Sequence, residues 1–100
     1  MNLTDMVRYT VHYSGNVQGV GFRYTTANVA RRYRVAGYVQ NLPDGRVKIV
    51  AEGEPDQVEH FLEAVHRVMC RLIHDQQIEK GEATGEYGRP EDPDTFGVRY

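Results

Sequence analysis

The feature that most restricts the fold of this 100-residue chain is a long apolar stripe in its second half. Apolar side chains recur there three and four residues apart, which places them on one face of an α-helix. The stripe consists of Val58, Phe61, Leu62, Val65, Val68, Met69 and Leu72. Pro55 suits the first turn of such a helix, and Asp56 complements the helix dipole. A helix with one apolar face needs a second layer to cover it, so we expect a two-layer fold.

Alternation of apolar and polar residues indicates strands in the first half of the chain. Residues 7–13 alternate and are rich in β-branched and aromatic side chains, as in a half-buried strand. Residues 37–42 and 46–53 are predicted as a second and a third strand. The Pro43-Asp44-Gly45 segment between them has strong turn residues, so these two strands form a hairpin.

A first helix is predicted to begin near Phe22, because apolar side chains again fall on one helical face. They are Phe22, Thr26, Val29, Ala30 and Tyr33, and three arginines (Arg31, Arg32 and Arg34) crowd the end of this helix. Residues 74–82 are predicted as a polar fourth strand and residues 85–94 as a loop. Phe96, Val98 and Tyr100 stand on alternate positions, which suggests a short closing strand. The strand tyrosines, Tyr100 included, are expected to pack rather than to form stacking platforms.

The resulting order, β-α-β-β-α-β with a short C-terminal strand, is typical of an α+β, ferredoxin-like fold. We expect one domain over residues 1–100, with both helices on one face of an antiparallel sheet. In this layout the first and second strands run parallel, so their carboxyl ends share one edge. Asn41 should therefore lie near the segment that leaves the first strand.

Composition restricts the kind of partner. The formal net charge is −2, so nothing attracts the chain broadly to nucleic acid or to an anionic membrane. Cys70 is the single cysteine, which rules out an internal disulfide and fits a reducing compartment. The first residues lack the apolar core of a signal peptide, and no apolar run approaches membrane length. We expect a cytoplasmic monomer that binds neither nucleic acid nor membrane.

The segment between the first strand and the first helix has the composition of an anion cradle. Gly15, Gly19 and Gly21 allow unusual dihedral angles and close approach of the backbone to an anion. The helix N-terminus adds unpaired N–H groups, and Arg23 adds a planar charged fork in the first turn. The spacing matches neither the Walker motif nor the dinucleotide fingerprint. The alternative is a glycine-rich turn followed by a surface arginine, although an arginine at a helix start is unfavourable without an anion.

Other polar residues carry weaker signals. Asn41 precedes a Pro-Asp-Gly turn, where asparagine usually serves the turn itself. His66 and Cys70 are four residues apart, as metal ligands sometimes are, but no second pair accompanies them. A packed or surface histidine beside a buried cysteine explains that spacing better. We therefore expect no metal and no cofactor, and we expect Gln18 to shape the loop.

The motif Gly15-Asn16-Val17-Gln18-Gly19-Val20-Gly21-Phe22-Arg23, together with Gly37-Tyr38-Val39-Gln40-Asn41 and Asp44-Gly45, resembles the signature of the acylphosphatase family. Its Val-Gln-Gly-Val-x-Phe-Arg core is highly specific. The resemblance implies a metal-independent hydrolase that splits the carboxyl–phosphate bond of acyl phosphates into a carboxylate and inorganic phosphate. It places the catalytic arginine on Arg23 and the catalytic asparagine, which orients the attacking water, on Asn41. The phosphate-binding backbone falls on Gly15, Asn16, Val17, Gln18, Gly19, Val20, Gly21 and Phe22.

The sequence departs from the family at the end of the first helix. A glycine commonly stands where this chain has Arg34, so a left-handed backbone there would strain Arg34 by about 1 kcal/mol. Two other classes stay open at this point. A non-catalytic phosphate sensor would use the same loop without hydrolysis. A single-stranded nucleic-acid binder would need exposed strand aromatics within a basic face.

Overall fold

The computed structural model describes residues 5–19, 21–92 and 94–100. Within them the elements are β1 (Val7–Gly15), α1 (Phe22–Ala30), β2 (Ala36–Asn41), β3 (Val47–Gly53), α2 (Pro55–Met69), β4 (Ile73–Glu82) and β5 (Phe96–Arg99). This order confirms the predicted sequence of strands and helices. None of the helices in these residues is long and apolar enough to cross a membrane.

The strands form one sheet in the order β4-β1-β3-β2-β5. The pairs β1–β4, β1–β3 and β2–β3 are antiparallel, whereas β5 runs parallel to β2. The sheet is therefore mixed, and the prediction of an antiparallel sheet is wrong at this edge. The cause is the connection between β4 and β5. It carries the chain to the start of β2, where the N–H of Gly37 donates to the carbonyl of Thr95 at 3.0 Å. From that point β5 can only run in the direction of β2.

Both helices cover one face of the sheet, as predicted. Val11, Ile49 and Val39 lie in one row across β1, β3 and β2, and all three are fully buried. The helices contribute apolar side chains to the same core: Phe22 and Val29 from α1, Val58 and Phe61 from α2. Since alternate residues point to opposite faces of a strand, Tyr13, Val47 and Asn41 share this helix-covered face.

The strand register fixes the place of Asn41. Asn41 lies opposite Val47, and Val47 lies opposite Tyr13. With β3 between them, β1 and β2 run in the same direction and end at the same edge of the sheet. The segment that leaves β1 and the last residue of β2 therefore come together, which confirms the topological prediction.

The ends of the helices differ from the sequence predictions. α1 ends at Ala30, before Tyr33, and the next three residues continue in a tighter turn with N–H bonds to carbonyls three residues back. Among the described residues other than glycine, only Asp94 has a positive φ, of 64°, so the strain expected at Arg34 is absent. On α2, Val68 is 57% exposed despite its place in the apolar stripe. Cys70 is exposed as well, contrary to the expected burial.

Residues 83–92, which we call the strap, cross the face of the sheet that the helices leave open. Glu52 of β3 is buried there, and its carboxylate accepts hydrogen bonds from the N–H of Thr84 at 2.8 Å and the N–H of Gly85 at 3.0 Å. Tyr87 accepts a bond from Arg8 of β1 at 2.7 Å, and its ring meets that of Tyr38 edge-on. The strap is thus anchored on three strands, at the end of the sheet away from Asn41.

Candidate active site

A small cavity lies where the carboxyl ends of β1 and β2 meet the start of α1. Its volume is about 220 Å³. It is lined by Val17, Gly19, Gly21, Phe22, Arg23, Tyr24 and Asn41. The structure therefore brings the glycine-rich loop, the first helical turn and the end of β2 to one place, although these segments are far apart in the sequence.

The N-terminus of α1 opens into this cavity. Gly21 is the N-cap, with φ 77° and ψ 14°, and offers no side chain to the N–H groups of the first turn. These groups have no partners within the helix, and they carry the positive end of its dipole. The first turn contains no acidic residue that would compete for them. The cavity thus presents donors and positive potential to an anion.

Two glycines permit the shape of the loop. Gly19 has φ 76° and Gly21 has φ 77°, both in the left-handed region that residues with a Cβ seldom occupy. A Cβ at either position would meet no atom within 4 Å. Glycine is therefore required here by backbone conformation, and the space above both residues stays open to a ligand.

Arg23 places a permanent charge at the mouth of the cavity. It stands in the first turn of α1, and its guanidinium carbon lies 4.9 Å from the centre of the Tyr100 ring. This cation–π contact uses the positive charge of the guanidinium and consumes none of its N–H donors. Those donors are the groups that bind two oxygens of a phosphate side by side.

Asn41 faces the cavity from the sheet. Its Oδ1 is buried and has no hydrogen-bond partner among the described residues. A buried polar oxygen without a partner is unfavourable by about 1–3 kcal/mol, which is more than a turn residue would ordinarily carry. The placement of this amide inside a donor-rich cavity points to a role for it in binding or chemistry.

Gln18 joins the loop to the hairpin that follows Asn41. Its Nε2 donates to the carbonyl of Leu42 at 2.8 Å and to the carbonyl of Arg46 at 2.9 Å. These contacts agree with the expected loop-shaping role. They also hold the loop at a fixed distance from the end of β2.

The other residues predicted for the cradle occupy different positions. Gly15 still belongs to β1 and pairs with Ile73. The N–H of Asn16 donates to the carbonyl of Leu72 at 3.0 Å, so this amide already has a partner. Val17 is fully buried and lines the cavity through its side chain. Val20 lies outside the described residues.

Sequence reasoning missed two aromatic residues at this site. Tyr24 is 54% exposed and lines the cavity, and Tyr100 is 79% exposed over Arg23. Their hydroxyl groups hydrogen-bond to each other, and this bond raises the pKa of Tyr100. Helical spacing could have placed Tyr24 beside Arg23 and off the apolar stripe. Tyr100 was predicted to be a packing residue, and its exposure shows that prediction to be wrong.

The histidines stay away from the cavity. His12 lies on the open face of the sheet, where burial and the nearby Arg46 and Lys48 lower its pKa. His66 is exposed on α2, as is Cys70 after it. In residues 5–19, 21–92 and 94–100 no three His, Cys, Asp or Glu side chains are grouped to hold a metal ion.

The chain matches the family model for acylphosphatases over residues 9–96, which includes every residue that lines the cavity. The chain belongs to the acylphosphatase family. This membership confirms the resemblance seen in the loop motif. It makes the protein an enzyme, an acylphosphatase, as the sequence predicted.

Individual relatives agree with the family model. An acylphosphatase of Archaeoglobus fulgidus is 57% identical over 60 residues, which are 60% of this chain and 67% of the relative. An acylphosphatase of Trichormus variabilis is 40% identical over 86 residues, 85% of each protein. The crystal structure of acylphosphatase from Bacillus subtilis superimposes with a TM-score of 0.78 at 31% identity, over 94% of this chain and 99% of that one. The mixed five-stranded sheet with two helices is thus the acylphosphatase fold.

Proposed function

We propose that Arg23, the loop amides and Asn41 form the machinery by which this acylphosphatase releases inorganic phosphate and a carboxylate from acyl phosphates. One observation carries the proposal: a single cavity combines a helix N-terminus, an arginine fork and a buried amide oxygen that has no partner among residues 5–19, 21–92 and 94–100. The first two groups suit a phosphoryl group, and the third suits a water molecule beside it.

The positive groups act on the phosphoryl oxygens. Phosphoryl transfer depends mainly on positioning and on stabilising negative charge as it spreads over these oxygens. Backbone N–H groups of the loop and of the first turn of α1 contact these oxygens, and the edge of the Arg23 guanidinium contacts two of them. Because these donors are already oriented, they stabilise the transition state without reorganising.

The bond changes need little acid catalysis. The oxygen of water attacks phosphorus, and the bond between phosphorus and the acyl oxygen breaks. The leaving group is a carboxylate, which takes the bonding electron pair and is stable without a proton. The proton of the attacking water passes to a phosphoryl oxygen of the substrate, since Asn41 is too weak a base to hold it.

Asn41 orients the attacking water. Its Oδ1 accepts a hydrogen bond from water, and this turns a lone pair of the water oxygen toward phosphorus. The same contact gives the buried oxygen a partner that it lacks among the described residues. Asn41 thereby acts on the reaction and leaves the affinity for phosphate to Arg23 and the amides.

The surroundings of the site support three further proposals. The reaction needs no metal ion, because the guanidinium and the helix N-terminus already provide the positive charge at the phosphoryl group. The enzyme acts in the cytoplasm, where an exposed thiol such as Cys70 stays reduced. It acts as a monomer, because the outer strand β4 carries Asp75, Glu79 and Lys80, and charges on an edge strand oppose pairing with another sheet.

Nucleic acid is not the ligand. Tyr38, the central aromatic residue of the open face, is buried, and the guanidinium of Arg99 lies 3.7 Å from the centre of its ring. A base has no free aromatic surface to stack on there. The proposed ligands are the small acyl phosphate and the phosphate product.

The test is an Asn41→Ala variant, with Asn28→Ala on the exposed face of α1 as the matched control. We expect Asn41→Ala to lose turnover and to keep wild-type affinity for phosphate, because the water matters only in the reaction. Titration calorimetry with inorganic phosphate and kcat on acetyl phosphate measure the two effects on one preparation. Retained kcat with a lowered melting temperature would show that Asn41 only stabilises the turn. Wild-type protein that binds phosphate without hydrolysing acyl phosphates would instead be a sensor.

A further inference from the structure

Two exposed aromatic side chains stand at the mouth of the cavity. In the described part of the chain the large apolar side chains with high exposure are Tyr24, Val68, Ile78 and Tyr100. Two of these four, Tyr24 and Tyr100, meet at this one site beside Arg23. Neither covers the core, since Tyr24 is 54% and Tyr100 79% exposed. Their exposed rings are therefore available to a ligand.

The two rings are held in place before any ligand binds. The ring of Tyr100 stacks over Arg23 at 4.9 Å, and the hydroxyl groups of Tyr24 and Tyr100 are hydrogen-bonded. An aromatic surface that is already ordered loses little conformational entropy on binding. We call this pair of rings the tyrosine rim.

The direction of the reaction places the acyl group at the rim. In a phosphoryl transfer the attacking and leaving oxygens lie roughly in line. Asn41, and with it the proposed water, stands on the side of the sheet. The leaving carboxylate then faces away from Asn41, on the side of the cavity that Tyr24 lines.

There is also room beyond the rim for a large group. Tyr24 lines a second groove of about 660 Å³ between α1 and β5, as well as the small cavity. Phe96 and Val98 add apolar surface to this groove. A bulky group that extends past Tyr24 would therefore stay in contact with the protein.

We propose that Tyr24 and Tyr100 bind the acyl part of the substrate and favour aromatic and bulky apolar acyl groups over acetyl. This specificity rests on the proposed function, in which the cavity holds the phosphoryl group. An aromatic acyl group contacts both rings, whereas an acetyl group is too short to cover either of them. The rim thus selects the substrate while Arg23 and Asn41 perform the reaction.

The experiment compares kcat/KM for benzoyl phosphate and acetyl phosphate in the wild type, Tyr24→Ala, Tyr100→Ala, and the two matched Phe variants. Each Ala change should lower kcat/KM for benzoyl phosphate by about 2- to 12-fold, the range of one aromatic contact, mainly through KM. The value for acetyl phosphate should fall less, so that the ratio of the two values shifts toward acetyl phosphate. The Phe variants keep the rings and should keep most of the preference.

Each other result has a definite meaning. An equal loss on both substrates would show that the tyrosines only position Arg23, and it would overturn the acyl site. No loss on either substrate would overturn it too. Wild-type protein that hydrolyses neither compound would refute the proposed function itself, whereas activity without a benzoyl preference would refute only the rim.

Discussion

The two hydrogen bonds of Gln18 lead to a prediction about what keeps the cavity in shape. Gln18→Ala removes both bonds from Nε2, at 2.8 and 2.9 Å, that tie the glycine-rich loop to the turn after Asn41. The loop carries N–H groups that are proposed to bind the anion, and β2 carries the side-chain amide of Asn41. We expect the variant to fold, to lose stability and to lose turnover.

The size of the stability loss depends on the hydrogen bonds that the two carbonyls retain in the variant. The carbonyl of Leu42 still accepts a bond from Gly45, and that of Arg46 still accepts one from Leu42. No acceptor is left without a partner, so only the net value of two neutral hydrogen bonds is lost, at about 0.5–1.5 kcal/mol each. A total of about 2 kcal/mol lowers the melting temperature of a domain of this size by about 8–16 °C.

The loss of turnover should exceed what instability explains. A displacement of about 1 Å at a reacting centre lowers the rate on the order of 10²-fold, so even partial loosening should reduce kcat by about 10-fold. Thermal unfolding and kcat on acetyl phosphate at 25 °C, where the variant remains folded, separate the two effects.

A matched control is Gln77→Ala, which removes an exposed glutamine from β4. It should leave melting temperature and kcat as they are. If Gln18→Ala behaves like this control, the loop keeps its place without Gln18, and the role assigned to its two bonds is wrong. A lowered melting temperature with unchanged kcat would leave Gln18 a purely stabilising residue.

Three other predictions concern the anion site. Arg23→Ala should lower kcat by about 10²–10³-fold or more and weaken phosphate binding, because an oriented charged donor is lost. The control is Arg31→Ala, which changes an exposed arginine just after α1. Full activity of the Arg23 variant would refute the catalytic role of Arg23. Inorganic phosphate should inhibit competitively and, at 100 times its Kd, stabilise the folded protein by about 2.7 kcal/mol, which calorimetry reads as a raised melting temperature. Arg23→Ala should reduce that shift, and a wild type without any shift would contradict an anion site. Activity should persist after EDTA treatment and dialysis, and loss with EDTA that added metal restores would refute the metal-free mechanism.

Much of the fold could be predicted because its signals are local. Alternation in residues 7–13 and the Pro43-Asp44-Gly45 turn define strands and a hairpin, and helical spacing defines α1 and α2. The site followed from these elements, because two parallel strands with one between them bring Asn41 to the loop. Arg23 and the glycines could be predicted as site residues because the motif is continuous in sequence.

The rest depends on contacts that no local pattern encodes. The direction of β5 is set by the strap, whose anchor on Glu52 joins residues more than thirty positions apart. β4 lacks an apolar pattern because the helices leave it largely uncovered, as the 52% exposure of Ile78 shows. Tyr100 has the right parity to face α1, but it meets the polar groups of Arg23 and Tyr24 there, so the side chain becomes part of the rim instead of the core.

The strap also affects the order in which the molecule folds. Its anchors are Glu52 on β3, Arg8 on β1 and Tyr38 on β2, so it finds partners only after those strands have paired. Contacts that close long loops are entropically costly and tend to form late. Interactions formed after the folding transition state chiefly slow unfolding. The strap therefore slows unfolding of the molecule. Because it lies at the end of the sheet away from the cavity, its sequence can change without disturbing the chemistry at the other end.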